Sequence, residues 1–314
     1  MRHKILIQQG AFLPKLEASL GARYDAKFLP QAGPERDAFL QQHGAGIVAV
    51  ATNARIGLDA QTLAALPDLK MVSSFGVGLD PFDLDALQAR GVALGYTPDV
   101  LNDCVADTAF ALLMDVSRRI TEADRFVRRG EWQKGAFTPA TRVSGKRLGI
   151  LGLGRIGSAI ARRAAGFDME VRYHNRRPVE GSPYGYEASL EDLAAWADFL
   201  VIASAGGAAT RGLVSARVLE ALGPEGYLVN ISRGTVVDEA ALVDALRNKR
   251  LAGAGLDVFE REPHVPPELL TLDNVVLLPH LASNTHETRA DMAQRVEDNL
   301  AAFFAGKSLV SAAY

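Results

Sequence analysis

The chain has 314 residues, 48% of them hydrophobic and 23% charged, with a formal net charge of −3. That length suits one large domain or two ordinary ones with real cores, and the charge balance excludes a general nucleic-acid binder. A single cysteine, Cys104, excludes an intramolecular disulfide framework and fits a cytoplasmic setting, while neither a signal-peptide core after Met1 nor an apolar run of about 18 residues is present.

Short apolar runs at Lys4–Gln8, Ile47–Ala51 and Lys70–Ser74 read as strands. Helical periodicity falls between them at Lys15–Leu20, Glu35–Gln42 and Asp59–Leu66. Alternating strand and helix implies a parallel sheet with right-handed crossovers, so the N-terminal third reads as a small α/β domain. Ser73–Asp80, SSFGVGLD, places two glycines directly after a strand. Ligands of open parallel sheets bind beyond strand carboxyl ends, so the N–H groups of Val77 and Gly78 are candidates to hold an anion. A plain turn into a helix at Phe82–Arg90 fits the spacing equally well. Gly91–Pro98 reads as a strand and link, Asn102–Arg129 as one long helix, and Gly130–Gly145 as loop.

A buried strand at Lys146–Leu151 then runs into GILGLGRIGSAIA, Gly149 to Ala161, with Ile156, Ile160 and Ala164 on one face of a following helix. Strand, G-x-G-x-x-G and helix in that order form a dinucleotide fingerprint. Gly152 permits the tight turn, Gly154 lets backbone approach a diphosphate, and Gly157 lets helix and strand pack closely. The helix N-terminus favours the anion. Further strands are expected at Glu170–His174, Asp198–Ala203, Gly226–Ile231, Ala252–Val258 and Asn274–Leu278, making six in a doubly wound sheet. Helices near Leu190–Trp196, Ser215–Leu222 and Glu239–Lys249 separate most of them, and a last helix at Thr285–Ala305 is expected to return to the first domain.

The second strand ends Asn175-Arg176-Arg177, where a fold preferring NAD carries an acid for the ribose 2′-hydroxyl. A neutral residue followed by two guanidiniums fits a 2′-phosphate, so NADP is expected, with NADPH preferred over NADH. Three more strand ends carry candidate chemistry. Arg233 follows one strand and suits bidentate grip of a carboxylate. DVFEREP, from Asp257 to Pro263, follows another, and spacing does not single out Glu262 among its acids. His280 follows a third, where a structural and a catalytic histidine are both consistent with position. Ketone reduction needs a proton donor opposite the hydride, for which histidine is suited, a carboxylate to orient it, and an arginine to polarise the carbonyl.

The runs SSFGVGLD, TPDVLNDCVADTAFALL, GILGLGRIGSAIA, NISRGTVVDEAAL, GAGLDVFEREP and LLPHLASNTHETR together resemble the D-isomer-specific 2-hydroxyacid dehydrogenase family over nearly the whole chain. Within it the chain is most similar to glyoxylate/hydroxypyruvate and hydroxyphenylpyruvate reductases. The resemblance implies Arg233 as the substrate-binding arginine, Glu262 as the partner carboxylate, His280 as the acid/base, and Val77 and Gly78 as carboxylate binders. The expected cofactor set is Thr108, Gly152, Leu153, Gly154, Arg155, Ile156, Gly157, Asn175, Arg176, Arg177, Ser204, Ile231, Ser232, Arg233, Asp257, His280 and Ser283. Two departures from the family pattern stand out. Ser204-Ala205-Gly206-Gly207-Ala208 replaces a Pro-Leu-Thr type segment on the adenosine side, and Trp132 is the single tryptophan in the loop after Gly130.

The fold expected is two Rossmann-like doubly wound parallel-sheet α/β domains with a cleft between them. Residues 1–100 with 284–314 would bind substrate and residues 101–283 the dinucleotide. The expected activity is NADPH-dependent reduction of glyoxylate or hydroxypyruvate to the D-hydroxy acid, with aryl pyruvates as an alternative. A homodimer contacting through Asn102–Arg129 is expected, and no metal, nucleic-acid or membrane partner. A second class of reading, a dinucleotide-sensing binding protein without relevant turnover, stays open, because fold alone does not assign function.

Overall fold

The computed structural model describes every residue except Met1, Gln9, Ala11, Leu13, Gln31 and Ala32. The chain divides into two compact units, Met1–Leu101 with Thr285–Tyr314, and Asn102–Asn284.

The first unit holds five strands: β1 (Lys4–Gln8), β2 (Asp25–Leu29), β3 (Ala49–Asn53), β4 (Met71–Phe75) and β5 (Ala93–Gly95). All pair in parallel, in the order β2-β1-β3-β4-β5. Helices α1 (Pro14–Arg23), α2 (Pro34–His43), α3 (Ala60–Ala64) and α4 (Leu84–Ala89) alternate with them. α3 and α4 start on Asp59 and Asp83, whose carboxylates accept the Thr62 and Ala86 N–H groups. Both faces of the central strands are covered, so β4 reads MVSSF with every residue buried. The C-terminal helix, His286–Phe304, packs on β4, where Ser73 Oγ donates to Val296 O at 3.2 Å. β2 was absent from the sequence-based expectation. It is an edge strand, DAKFL, with a single buried residue, so neither an apolar run nor strict alternation announces it.

The second unit holds β6 (Arg147–Leu151), β7 (Glu170–His174), β8 (Gly185–Tyr186), β9 (Phe199–Ile202), β10 (Tyr227–Asn230), β11 (Gly253–Leu256) and β12 (Val275–Leu277). They form one parallel sheet ordered β12-β11-β10-β9-β6-β7-β8. The sheet has seven strands rather than the six expected, because the two-residue β8 is too short for any periodicity to mark it. The chain leaves β6 toward β7 and β8, then returns to its other side with β9, so the topological switch point lies between β6 and β9.

Helices of this unit are α5 (Asn102–Arg118), α6 (Ile120–Arg128), α7 (Arg155–Ala164), α8 (Leu190–Trp196), α9 (Ala216–Leu222) and α10 (Glu239–Arg247). α8, α9 and α10 share one core with the sheet through Leu193, Leu219, Leu242, Leu200 and Leu228. α5 lies on β10 and β11, and Gly255 leaves room for it: a Cβ there would fall 2.9 Å from Leu112 Cβ.

The expected single helix Asn102–Arg129 is two helices. Arg119 has φ 56°, in the left-handed region, and breaks the run. Asp115 accepts from the Thr121 N–H at 2.7 Å and the Thr121 hydroxyl at 2.5 Å, side-chain bonds that compete with helix continuation. The Arg119 guanidinium pairs with Glu122 at 2.6 Å and lies 4.7 Å from the Phe137 ring centroid. These tertiary contacts compensate the strained backbone, and apolar periodicity carries no trace of them.

Candidate active site

The fingerprint glycines each meet a physical limit. Gly152 has φ 99°, and a Cβ on it would lie 2.6 Å from Ser204 N at the end of β9. A Cβ on Gly157 would lie 2.1 Å from Gly152 O, so α7 packs against the turn only because that atom is missing. Gly154, at the start of α7, faces open space: a Cβ there meets nothing within 4 Å. Beside this turn the Ser204 hydroxyl is buried without a hydrogen-bond partner among the described residues. A dinucleotide diphosphate fits both features, since it fills the space over Gly154 and accepts from a donor that is otherwise costly to bury.

These limits make a paired prediction. Gly157→Ala is expected to destabilise the protein by about 1–3 kcal/mol through overpacking, read by urea unfolding. Gly154→Ala is expected to leave the unfolding midpoint nearly unchanged and to weaken dinucleotide binding, read by fluorescence titration. Equal destabilisation by both would contradict the geometry.

At the end of β7, Asn175 turns inward: its Oδ1 accepts from Leu153 N at 2.8 Å and ties the glycine turn to the neighbouring strand. Arg176 and Arg177 follow on the surface, both exposed, with no hydrogen bond or ion pair among the described residues.

The second cluster lies beyond β10, β11 and β12. Asn230, the last residue of β10, is buried, and its Oδ1 accepts from Ser232 N at 3.0 Å while its Nδ2 donates to Arg233 O at 2.9 Å. This side-chain turn fixes the chain from Ile231 to Arg233. Arg233 Nη1 donates to Ser232 O at 2.9 Å, and a Cβ on Gly206 would fall 2.5 Å from Arg233 Cγ, so the small residue gives the arginine stem its slot. Gly234 lies so close to the Phe259–Glu260 backbone that a Cβ would fall 1.9 Å from Phe259 carbonyl carbon. The arginine turn and the loop bearing Glu262 are thereby locked together.

Glu262 Oε2 lies 2.7 Å from His280 Nδ1, and its Oε1 accepts from Phe259 N at 3.3 Å. His280 holds φ 52°. Asp257 supports that conformation: its carbonyl accepts from His280 N at 2.9 Å, and its carboxylate accepts from Leu281 N at 2.7 Å and Ala282 N at 3.0 Å. Burial pushes the Asp257 carboxyl above its usual range, against the pull of those two N–H groups. Thr108 Oγ1 reaches Ala282 O at 3.3 Å and Cys104 Sγ the same oxygen at 3.0 Å, which joins the start of α5 to this turn. Ser283 follows at its end, partly buried.

Val77 and Gly78 belong to the first unit, just after β4. No described residue accepts a hydrogen bond from either N–H. Gly76 before them has φ 136° and is fixed by Thr97, whose Oγ1 accepts its N–H at 2.9 Å.

Sequence reasoning gave Asn230 no role, and it marked Gly206 only within the departing segment on the adenosine side, not as the slot for Arg233. An Asn as the last residue of a strand before a tight turn is a recognisable signal for the former. Nothing local signals the slot at Gly206, because its constraint comes from a residue far along the chain.

A family model described as the D-isomer specific 2-hydroxyacid dehydrogenase NAD-binding domain matches residues 110–282. The chain is 49% identical over 278 residues to a glyoxylate/hydroxypyruvate reductase A of Arabidopsis thaliana, covering 88% of this chain and 89% of that one. It is 48% identical to a hydroxyphenylpyruvate reductase of Plectranthus scutellarioides, covering 94% of each. Among solved structures, an NADPH-dependent glyoxylate/hydroxypyruvate reductase of Sinorhizobium meliloti in complex with NADP and malonate superposes with a TM-score of 0.93 at 40% identity, over 99% of this chain and 97% of that one.

Proposed function

The chain belongs to the D-isomer-specific 2-hydroxyacid dehydrogenase family, and on that premise we propose that it reduces glyoxylate, hydroxypyruvate and related small 2-keto acids to D-2-hydroxy acids with NADPH. The observation that carries this reading is the Glu262–His280 pair at 2.7 Å, held beyond the sheet that also ends in the glycine turn. The second unit binds the dinucleotide and the first contributes to substrate binding.

Bound NADPH supplies the hydride. Glu262 accepts a hydrogen bond from His280 Nδ1–H, and a ring that also carries a proton on Nε2 presents Nε2–H as the donor to the carbonyl oxygen. The carboxylate also keeps the ring from turning. Arg233 polarises the carbonyl and grips the adjacent carboxylate through its planar fork. The N–H groups of Val77 and Gly78, in the first unit, are the proposed binders of a substrate carboxylate there. Asp257, Ser232, Ile231, Thr108 and Ser283 shape the cofactor side.

Initial rates for a panel of 2-keto acids, aryl pyruvates included, with NADPH and NADH test the proposal. Turnover confined to aryl pyruvates would move the assignment to the hydroxyphenylpyruvate reductase type, which the relative from Plectranthus scutellarioides favours. Binding of NADPH without turnover of any member would favour a sensor.

The cofactor preference rests on Arg176 and Arg177 being exposed and without partners among the described residues, where the adenosine ribose is expected. Replacing both with alanine is expected to raise KM for NADPH about ten- to a hundredfold, the value of charge-assisted hydrogen bonds, and to leave KM for NADH nearly unaltered. Equal effects on both cofactors would remove that role.

The proposal of a homodimer is supported by α6, which buries none of its side chains within its own chain, with Ile120, Val127 and the nearby Trp132 all more than half exposed. Light scattering at working concentration tests it. No described helix is long and apolar enough to cross a membrane. One cysteine, Cys104, allows no intramolecular disulfide and supports a cytoplasmic setting.

A further inference from the structure

Arg289 stands in the first turn of the C-terminal helix, in the first unit, and its guanidinium lies 4.5 Å from the centroid of the Phe75 ring. Phe75 ends β4, and Gly76, Val77 and Gly78 follow it directly. Side chains alternate along a strand, so Phe75 shares its face with Ser73, and Ser73 is hydrogen-bonded to Val296 O of the same helix. The end of β4 and the start of the helix are therefore fixed to one another within this unit.

The guanidinium is half-buried, yet no described residue hydrogen-bonds to it or forms an ion pair with it, and its Nε is buried without an acceptor. Burial alone pushes its pKa below the ordinary arginine value, with no neighbouring carboxylate to oppose the shift. The group also sits at the positive end of a helix dipole, where a cation is disfavoured. Its contact with the Phe75 face offsets part of this cost. The same strand end leads to two N–H groups, of Val77 and Gly78, that no described residue accepts. A cation and two N–H donors that no described residue compensates, all beside one strand end, suit an anion.

We infer that Arg289 is a substrate-binding residue that completes, with the Val77 and Gly78 N–H groups, a subsite for the carboxylate of the 2-keto acid in the first unit. The inference deepens the proposed function and rests on it for the identity of the anion. Arg289 is distinct from Arg233, which belongs to the other unit. A neutral ketone or an ester gains nothing from Arg289, and the subsite selects free acids.

Arg289→Leu is expected to raise KM for glyoxylate about tenfold or more, with a much smaller change in kcat and none in NADPH affinity. The same substitution is expected to weaken binding of oxalate, a non-reducible dicarboxylate, by a similar factor in calorimetry. Arg289→Lys keeps the charge without the fork and is expected to fall between, and it serves as the working variant if Arg289→Leu does not fold. Added guanidinium ion is expected to lower the raised KM of Arg289→Ala, a rescue that a purely structural role would not give. Unchanged KM and unchanged oxalate affinity in a variant that still binds NADPH overturn the inference. If the wild-type protein reduced no 2-keto acid, the proposed function would fall, while the oxalate comparison would still decide the role of Arg289.

Discussion

Replacing His280 with alanine is expected to lower kcat for 2-keto acid reduction by about 10²- to 10⁴-fold, the usual contribution of a positioned general acid. The imidazole is the group that the 2.7 Å contact with Glu262 Oε2 orients, and its backbone is held in the left-handed region by three hydrogen bonds to Asp257. Alanine removes the proton donor while Asp257 still fixes the turn. Affinity for NADPH is expected to be nearly unchanged, because the glycine turn and Asn175 lie at the ends of β6 and β7 and do not depend on that ring. Single-turnover kinetics with saturating NADPH read the chemical step directly. A variant with wild-type kcat would mean that the proton comes from elsewhere.

Arg233→Lys is expected to lower kcat/KM by about 10²-fold while leaving the unfolding midpoint close to wild type. Lysine keeps one positive charge, and its stem still fits the slot that Gly206 leaves beside Arg233 Cγ. What it loses is the planar fork that donates to Ser232 O and that is proposed to touch carbonyl and carboxylate together. If the fork acts on the reacting carbonyl as proposed, the loss falls in kcat as well as KM. A change confined to KM would reduce Arg233 to a carboxylate anchor. A wild-type kcat/KM would remove it from the substrate altogether.

The three residues differ in how far they were legible in the chain. His280 and Arg233 each follow a strand, and strand ends are where ligands of parallel sheets bind, so position alone raised them above the other histidines and arginines. Glu262 had no such advantage, being one of three acids in the run from Asp257 to Glu262. Geometry separates them. Asp257 is wholly buried beneath Leu281 and Ala282, Glu260 pairs with Arg211 at 3.3 Å, and Glu262 meets His280. Asn175 shows the opposite relation: spacing marked it for the ribose, and the structure also gives its side chain a partner within the fold, Leu153 N.

Local sequence by itself determined the alternation of strands and helices, the fingerprint turn and the basic pair after β7. Apolar periodicity, glycine spacing and the absence of an acid are properties of a few adjacent residues, and they act before any tertiary contact forms. Tertiary structure alone decided the break at Arg119, the edge strands β2 and β8, the slot at Gly206, the contact of Glu262 with His280 and the placement of Arg289 on Phe75. Each depends on desolvation or hydrogen bonding between residues distant in the chain. Whether a side chain is buried with a partner or without one is a property of what packs against it, and no window of sequence contains that neighbour.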